Sequence, residues 1–209
     1  MPTEHVLKSS TARLWKLIEE RARPDADTAA IDRRIWDLFG GEWAVMFTDL
    51  AGFSRKVARF GIIHFLQIIH EQKRLLLPLV ETHDGILIKI EADSLLVIFR
   101  SPATALRCAM AMQRACRNYN ARRAPEEHVA LCIGIGYGRI LKVGDEDIFG
   151  HEVNLASRLG EDTAGAEEIL LTHAACTAIG DVPGIRWEER EADFAGESSC
   201  WLACEMGTG

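Results

Sequence analysis

The chain has 209 residues, 48% of them hydrophobic and 26% charged, which suits a soluble globular domain with an extension. A formal net charge of −7 argues against a general nucleic-acid binder, which needs clustered Lys and Arg, but leaves room for a small phosphorylated ligand in a local cationic pocket. No stretch approaches the ~18 uninterrupted apolar residues of a membrane span, and residues 1–10 lack the apolar core of a secretory signal, so a cytoplasmic location is expected.

Residues 4–22 read as a helix with Val6, Leu7, Leu14, Leu17 and Ile18 among its apolar positions, broken by Pro24 and Asp25. Residues 28–39 form a second, with Ile31, Ile35, Trp36 and Leu38, ended by Gly40-Gly41. Trp15 and Trp36 are large apolar groups on polar segments, so this pair should pack on a partner subunit or on the rest of the chain.

The pattern then changes. Residues 43–48 are a β-prone apolar run leading to Asp49-Leu-Ala-Gly-Phe53, after which Ser54 caps one long helix running through Val57, Phe60, Phe65, Ile68, Ile69, Leu75, Leu79 and Val80. Asp84-Gly85 opens a turn, and strands 86–90 and 94–99 are pinched around Glu91-Ala92-Asp93. Pro102 opens a helix to about Tyr119. Strands follow at 129–136 and 139–143, a helix at 152–159, a strand at 168–172 and a last one near 200–205. The acidic run 188–193 reads as a solvated stretch, His151 as a surface residue at a helix start, and Trp201 as core. The order is β-α-β-β-α-β with additions, an α+β ferredoxin-like arrangement preceded by an N-terminal helical segment.

The six cysteines, Cys108, Cys116, Cys132, Cys176, Cys200 and Cys204, show neither a CxxC pair nor a zinc-type Cys/His spacing, and read as small buried thiols in a reducing compartment.

Two carboxylates stand out. Asp49 ends a strand and precedes a Gly-containing turn into a helix, beside the backbone N–H groups of Leu50, Ala51, Gly52 and Phe53. Helix N-termini attract anions, and a carboxylate next to an anion site is stable only with a divalent cation between them, which is how a Mg-triphosphate is held. Taken alone, Asp49 is better explained as a helix N-terminal cap. Asp93 lies in a hairpin turn, where Asp commonly serves backbone geometry. If the hairpin neighbours the first strand, the two aspartates meet, and together they can hold two metal ions.

Three segments carry a specific resemblance. Phe47-Thr-Asp-Leu-Ala-Gly-Phe53 resembles the first metal motif of the class III nucleotidyl cyclases, and Lys89-Ile-Glu-Ala-Asp93 with Ser-Leu-Leu-Val-Ile-Phe99 resembles their second. Asp147-Ile-Phe-Gly-His-Glu-Val-Asn-Leu-Ala-Ser-Arg-Leu159 is similar to the third, the most distinctive. The resemblance covers residues 43–206 and implies the cyclase catalytic fold and a set of roles. Asp49 and Asp93 would bind two Mg²⁺ (or Mn²⁺) per site, Lys89 and Asp147 would read the purine, Asn154 would orient the ribose and Arg158 would stabilise the transition state. In the family the aspartates come from one subunit and the other four residues from its partner, which implies a homodimer.

Elementary chemistry agrees with the purine assignment. Adenine offers an acceptor at N1 and a donor at its 6-amino group, matched by a donor-only Lys and an acceptor-only Asp, whereas guanine reverses both edges. Asn154 and Arg158, four apart on a helix, share a face. The reading is therefore an adenylyl cyclase converting ATP to 3′,5′-cyclic AMP and pyrophosphate. Two alternatives stay open: a degenerate cyclase fold that binds nucleotide or only dimerises, and a cyclase of another base preference.

Three departures from the family pattern are visible. Ala92 stands where Gly usually precedes the second metal Asp, the strand pair around 138–146 is shorter than the usual dimer arm, and Ala195-Gly196 replaces a Lys-Gly that helps hold the terminal phosphates, leaving Arg190 or Arg186 as substitutes. Residues 1–40 form an N-terminal helical extension and 41–209 the catalytic domain. The extension is compatible with a dimer clamp, an inhibitory segment or a link to a sensor, the last two implying a regulatory partner.

Overall fold

A computed structural model describes residues 9–194 and 196–206. The chain opens with helices α1 (Ser10–Arg21) and α2 (Thr28–Phe39), started by Ser9 and Asp27, whose side chains accept from the backbone N–H groups of Ala12 and Ala30. The expected helix residues 4–8 lie outside the described residues. Then follow β1 (Gly40–Leu50), α3 (Phe53–Phe60), α4 (Ile62–Thr82), β2 (Ile86–Glu91), β3 (Ser94–Phe99), α5 (Pro102–Asn120) and β4 (Leu131–Val143). The remainder is β5 (Asp147–Phe149), α6 (His151–Arg158), a π-helical turn at Leu159–Thr163, β6 (Ile169–Leu171), α7 (His173–Ile179), β7 (Ile185–Phe194) and β8 (Glu197–Glu205).

The strands form one sheet in the order β2-β3-β1-β4-β6-β8-β7, with β5 hairpinned onto β4. Its first four strands, β2-β3-β1-β4, are antiparallel and carry the expected ferredoxin-like core. Strand alternation divides the side chains of β1. Ala44 and Met46 join Phe65, Leu76, Val80, Leu106 and Met112 of α4 and α5 in the main core. Trp43 and Val45 face the other way, with Ile88, Ile98, Ile140, Ile148 and Ala156 of α6.

Several expected boundaries shift, each for a local reason. Gly40 ends α2 as expected, its N–H donating to the Trp36 carbonyl, and also starts β1; a Cβ there would lie 2.4 Å from that carbonyl oxygen, so only glycine can leave the helix so tightly. The single helix expected from Ser54 is two, broken at Gly61, where φ is +85°; the cap is Gly52 in the left-handed region, with no side-chain cap, and Ser54 lies inside α3. The two expected strands at 129–136 and 139–143 are one continuous β4, paired with β1 from Leu50↔Leu131 to Gly40↔Leu141. The acidic run 188–193 belongs to β7, paired along β8, with Glu189, Glu191 and Asp193 exposed and the alternate residues part-buried. α7 carries no sequence expectation. It is short and covered on the sheet side by buried Ala175.

The N-terminal pair packs on the rest of the chain. Leu14, Leu17, Ile31, Ile35 and Phe39 close over Val143 and Leu141 of β4, and the Arg139 guanidinium lies 4.4 Å from the Trp36 ring centroid. Trp15 remains 56% exposed. All six cysteines are free thiols, four buried and Cys176 and Cys204 partly so. Among the described residues no helix is long and apolar enough to cross a membrane.

Candidate active site

Antiparallel pairing of β1 with β3 runs Ala44↔Phe99 to Thr48↔Leu95, so the next residue, Asp49, comes to lie opposite Ser94 at the mouth of the β2–β3 hairpin. The Ser94 hydroxyl donates to Asp49 Oδ1 at 3.1 Å, and Asp93 sits one residue away, 8% exposed. The two aspartates singled out in the sequence are brought together. Burial, then the charge of Asp93, pushes the Asp49 carboxyl up to about 6, opposed in part by the Ser94 hydroxyl and the Leu50 N–H. Asp93 is also raised, mainly by burial, although its own N–H and that of Leu50 favour the charged form; Glu161 adds repulsion. Asp93 Oδ2 is buried without a hydrogen-bond partner.

Two desolvated, mutually repelling carboxylates with an orphaned buried oxygen fit a divalent cation, which would supply the missing partner and the missing positive charge. Among the described residues no group of three or more His, Cys, Asp or Glu forms a metal cage. A cation here has protein ligands on one side only and must take the rest from substrate or water, as Mg²⁺ commonly does.

The four backbone amides after Asp49 are not equivalent. Leu50 N–H faces the two carboxylates, and Ala51 N–H donates to the Ala130 carbonyl at 2.8 Å, completing the β1–β4 edge. That leaves Gly52, the left-handed cap of α3, and Phe53, its first residue, at the helix entrance.

Lys89 and Asp147 also meet, although 58 positions separate them in the sequence. Ile88 of β2 and Ile148 of β5 share the second apolar cluster with Ile140, which holds the two strands side by side and sets their neighbours in register. Lys89 Nζ lies 3.0 Å from Asp147 Oδ2, and Asp147 Oδ1 accepts from the Ile148 N–H at 2.9 Å. Both side chains are about one-third exposed, so each can exchange its partner for a ligand.

Asn154 and Arg158 stand exposed on α6. Their placement comes from residues that the sequence reading passed over. Gly134, Gly136 and Gly138 alternate along β4 on the face that α6 covers, and a Cβ on Gly134 would lie 2.1 Å from the Ala156 carbonyl oxygen. With no side chains in the way, the helix backbone lies directly on the strand. Glu152 then fixes its rotation: Oε2 accepts from the Tyr137 N–H at 3.0 Å, beyond the point where β6 pairs with β4, and from the Thr172 hydroxyl at 2.9 Å. The Gly-x-Gly-x-Gly spacing was the available signal. Arg158 is paired with Asp162 of the π-helical turn at 2.7 Å, with both side chains more than half exposed.

Neither arginine considered for the terminal phosphates is unengaged. Arg190 pairs with Glu168 at 2.7 Å and Arg186 with Glu188, while Ala195 lies outside the described residues. His151 is an exposed first residue of α6, 3.7 Å from Glu197.

Residues 40–194 match the adenylate and guanylate cyclase catalytic domain. The chain is 30% identical over 159 residues to an adenylate cyclase of Streptomyces coelicolor, covering 71% of this chain and 38% of that one. It spans only 15% to 38% of the length of three curated relatives it matches. Its fold superposes on the adenylyl cyclase CyaB from P. aeruginosa with a TM-score of 0.67 at 19% identity, covering 81% of this chain and 96% of that one. It superposes equally on the guanylyl cyclase Cya2, with a TM-score of 0.67 at 19% identity over 81% and 94% of the two chains.

Proposed function

Because the chain belongs to the adenylate and guanylate cyclase catalytic domain family, we propose that residues 41–209 are an adenylyl cyclase domain that makes 3′,5′-cyclic AMP and pyrophosphate from ATP at sites shared across a homodimer, with residues 1–40 as a helical extension. The observation that carries the choice of ATP is the Lys89–Asp147 pair, 3.0 Å apart. Lys89 presents N–H donors to adenine N1 and Asp147 an acceptor to the 6-amino group. Guanine at the same place would set donor against donor and acceptor against acceptor, which discriminates strongly in a desolvated site.

Asp49 and Asp93 of one protomer would hold two Mg²⁺ or Mn²⁺ ions, which when bound supply Lewis-acid stabilisation of the triphosphate and acidify the 3′-hydroxyl. The Gly52 and Phe53 amides, at the positive end of α3, would bind the β and γ phosphates. The partner protomer would contribute Lys89, Asp147, Asn154 and Arg158. Asn154 orients the ribose, and Arg158, once it leaves Asp162, neutralises charge developing on the α-phosphate. The 3′-oxygen forms its bond to the α-phosphorus in line as the bond to pyrophosphate breaks, and the hydroxyl proton passes to solvent. Position and charge provide the acceleration; no covalent intermediate with the protein is required.

Incubating the purified chain with Mn²⁺ or Mg²⁺ and each of ATP, GTP, CTP and UTP tests the reading. Cyclic AMP from ATP alone is the expected result. A product from GTP or a pyrimidine overturns the base assignment, and no product from any of the four overturns the enzyme.

A further inference from the structure

The α4 stripe that enters the core reads Phe65, Ile68, Ile69, Gln72, Leu76 and Val80, and one member is polar. Gln72 is fully buried. A buried amide is costly unless bonded, and here only half of it is: Nε2 donates to the Asp93 carbonyl oxygen at 2.6 Å, while Oε1 has no partner. An apolar residue would satisfy this position in the core better. What the amide does instead is grip the turn that carries Asp93.

That turn has reason to be gripped. Glu91 pairs with Ser94, so Ala92 and Asp93 form a two-residue hairpin loop. Ala92, its first residue, has φ +50°, a conformation suited to glycine and strained for an L-residue with a Cβ. Left to itself the loop relaxes by moving Ala92, and Asp93 moves with it. Strained backbone persists where surrounding contacts over-determine it. Here those contacts are the Glu91–Ser94 pairing, the Ser94 hydroxyl on Asp49 and the Gln72 amide on Asp93.

We propose that Gln72 is a positioning residue: by holding the Asp93 carbonyl from the core side, it keeps the strained Ala92–Asp93 turn in the one arrangement that aims the Asp93 carboxylate at Asp49. The proposal rests on the reading of those aspartates as the divalent-cation site. Supports one bond removed from a metal ligand commonly change affinity by about 10–100-fold when lost.

The test measures Mn²⁺ binding to the full chain by electron paramagnetic resonance, with a non-cyclisable ATP analogue present, alongside thermal unfolding. Asp93→Ala should abolish specific binding, and Gln72→Met, which keeps the volume and removes the donor, should weaken it by about tenfold or more with an unfolding midpoint close to the parent's. In an Ala92→Gly background, where no strain is left to release, the same Gln72→Met change should cost distinctly less. If Asp93→Ala loses Mn²⁺ but Gln72→Met binds within twofold of the parent, the positioning role is wrong. An equal loss from Gln72→Met in both backgrounds also overturns it, since the turn strain then plays no part. If Asp93→Ala binds as the parent does, the cation-site reading itself fails. Gln72→Leu replaces the Met variant should the latter not fold.

Discussion

The two halves of the candidate site are built in opposite ways. Asp93 is buried next to a strained turn, with one carboxylate oxygen unpartnered, and half-buried Asp49 lies close to it at the end of β1. Lys89 and Asp147 are part-exposed and Arg158 is exposed, and all three are already neutralised within the chain, Lys89 by Asp147 and Arg158 by Asp162. The first half stores unfavourable electrostatics that a bound cation or a proton relieves; the second stores almost none and changes partners at little cost. Under the proposed function, a site divided in this way would take its metal through buried geometry and its nucleotide through more exposed side chains that a helix and a strand edge hold in place.

The contrast can be broken by removing its buried half. Asp49→Ala should reduce cyclic AMP formation by about a thousandfold or more while leaving the fold intact, because the change removes a destabilising charge along with a metal ligand. Unaltered turnover would refute the cation site. Arg158→Ala should lower kcat by about 10²–10³-fold with a smaller change in KM, as expected of a group used mainly in the transition state. Mixing the inactive Asp49→Ala and Arg158→Ala chains sharpens the comparison: a shared dimer site predicts recovery of one competent site per mixed dimer, and persistent inactivity after verified subunit exchange excludes it.

Gly134→Ala probes the exposed half through its support. The added methyl meets the Ala156 carbonyl oxygen at 2.1 Å, so α6 must move, at a cost of about 1–3 kcal/mol in stability. Activity should fall while Mn²⁺ binding is retained; loss of Mn²⁺ binding as well would mean that the halves are not separately supported.

The smallest effect is a difference in pH dependence. Asp49 titrates at about 6 in the fold against 3.8 for the free group, so between those values the folded chain holds the extra proton. Its contribution to stability is present below about pH 4 and is lost as pH rises through about 6. Metal-free Asp49→Asn has no such group. Its advantage over the parent in chemical unfolding should be small at pH 4, grow up to about pH 6 and then level off. An advantage that does not vary with pH would mean that the Asp49 carboxyl is not desolvated.

The sequence made the chemistry-bearing segments legible because each is a contiguous run in which strand, turn and helix signals occur within a few residues of one another. Asp49 after an apolar run, Asp93 in a pinched hairpin, and Asn154 and Arg158 one helical turn apart could all be placed without tertiary information. The ferredoxin-like order of strands followed from the same local signals. Gly61, by contrast, was hidden inside an uninterrupted apolar periodicity, and β7 was masked by its own charge, since a strand exposed on its side chains resembles a loop in composition.

What depended on the folded chain was the identity of the partners. The Ala51 amide proved to belong to the sheet because β4 reaches back to Ala130, and Arg190 was taken by Glu168 because β7 passes β6 through β8. Ile88 and Ile148, given no role of their own in the sequence reading, bring Lys89 to Asp147, and three glycines that contribute no side chain seat the helix that carries Arg158. Residue type and local periodicity specify what a group can do. Contacts across distant segments specify which groups remain free to do it, because hydrogen-bond and charge partners are assigned by packing, and packing has no short-range signature in the sequence.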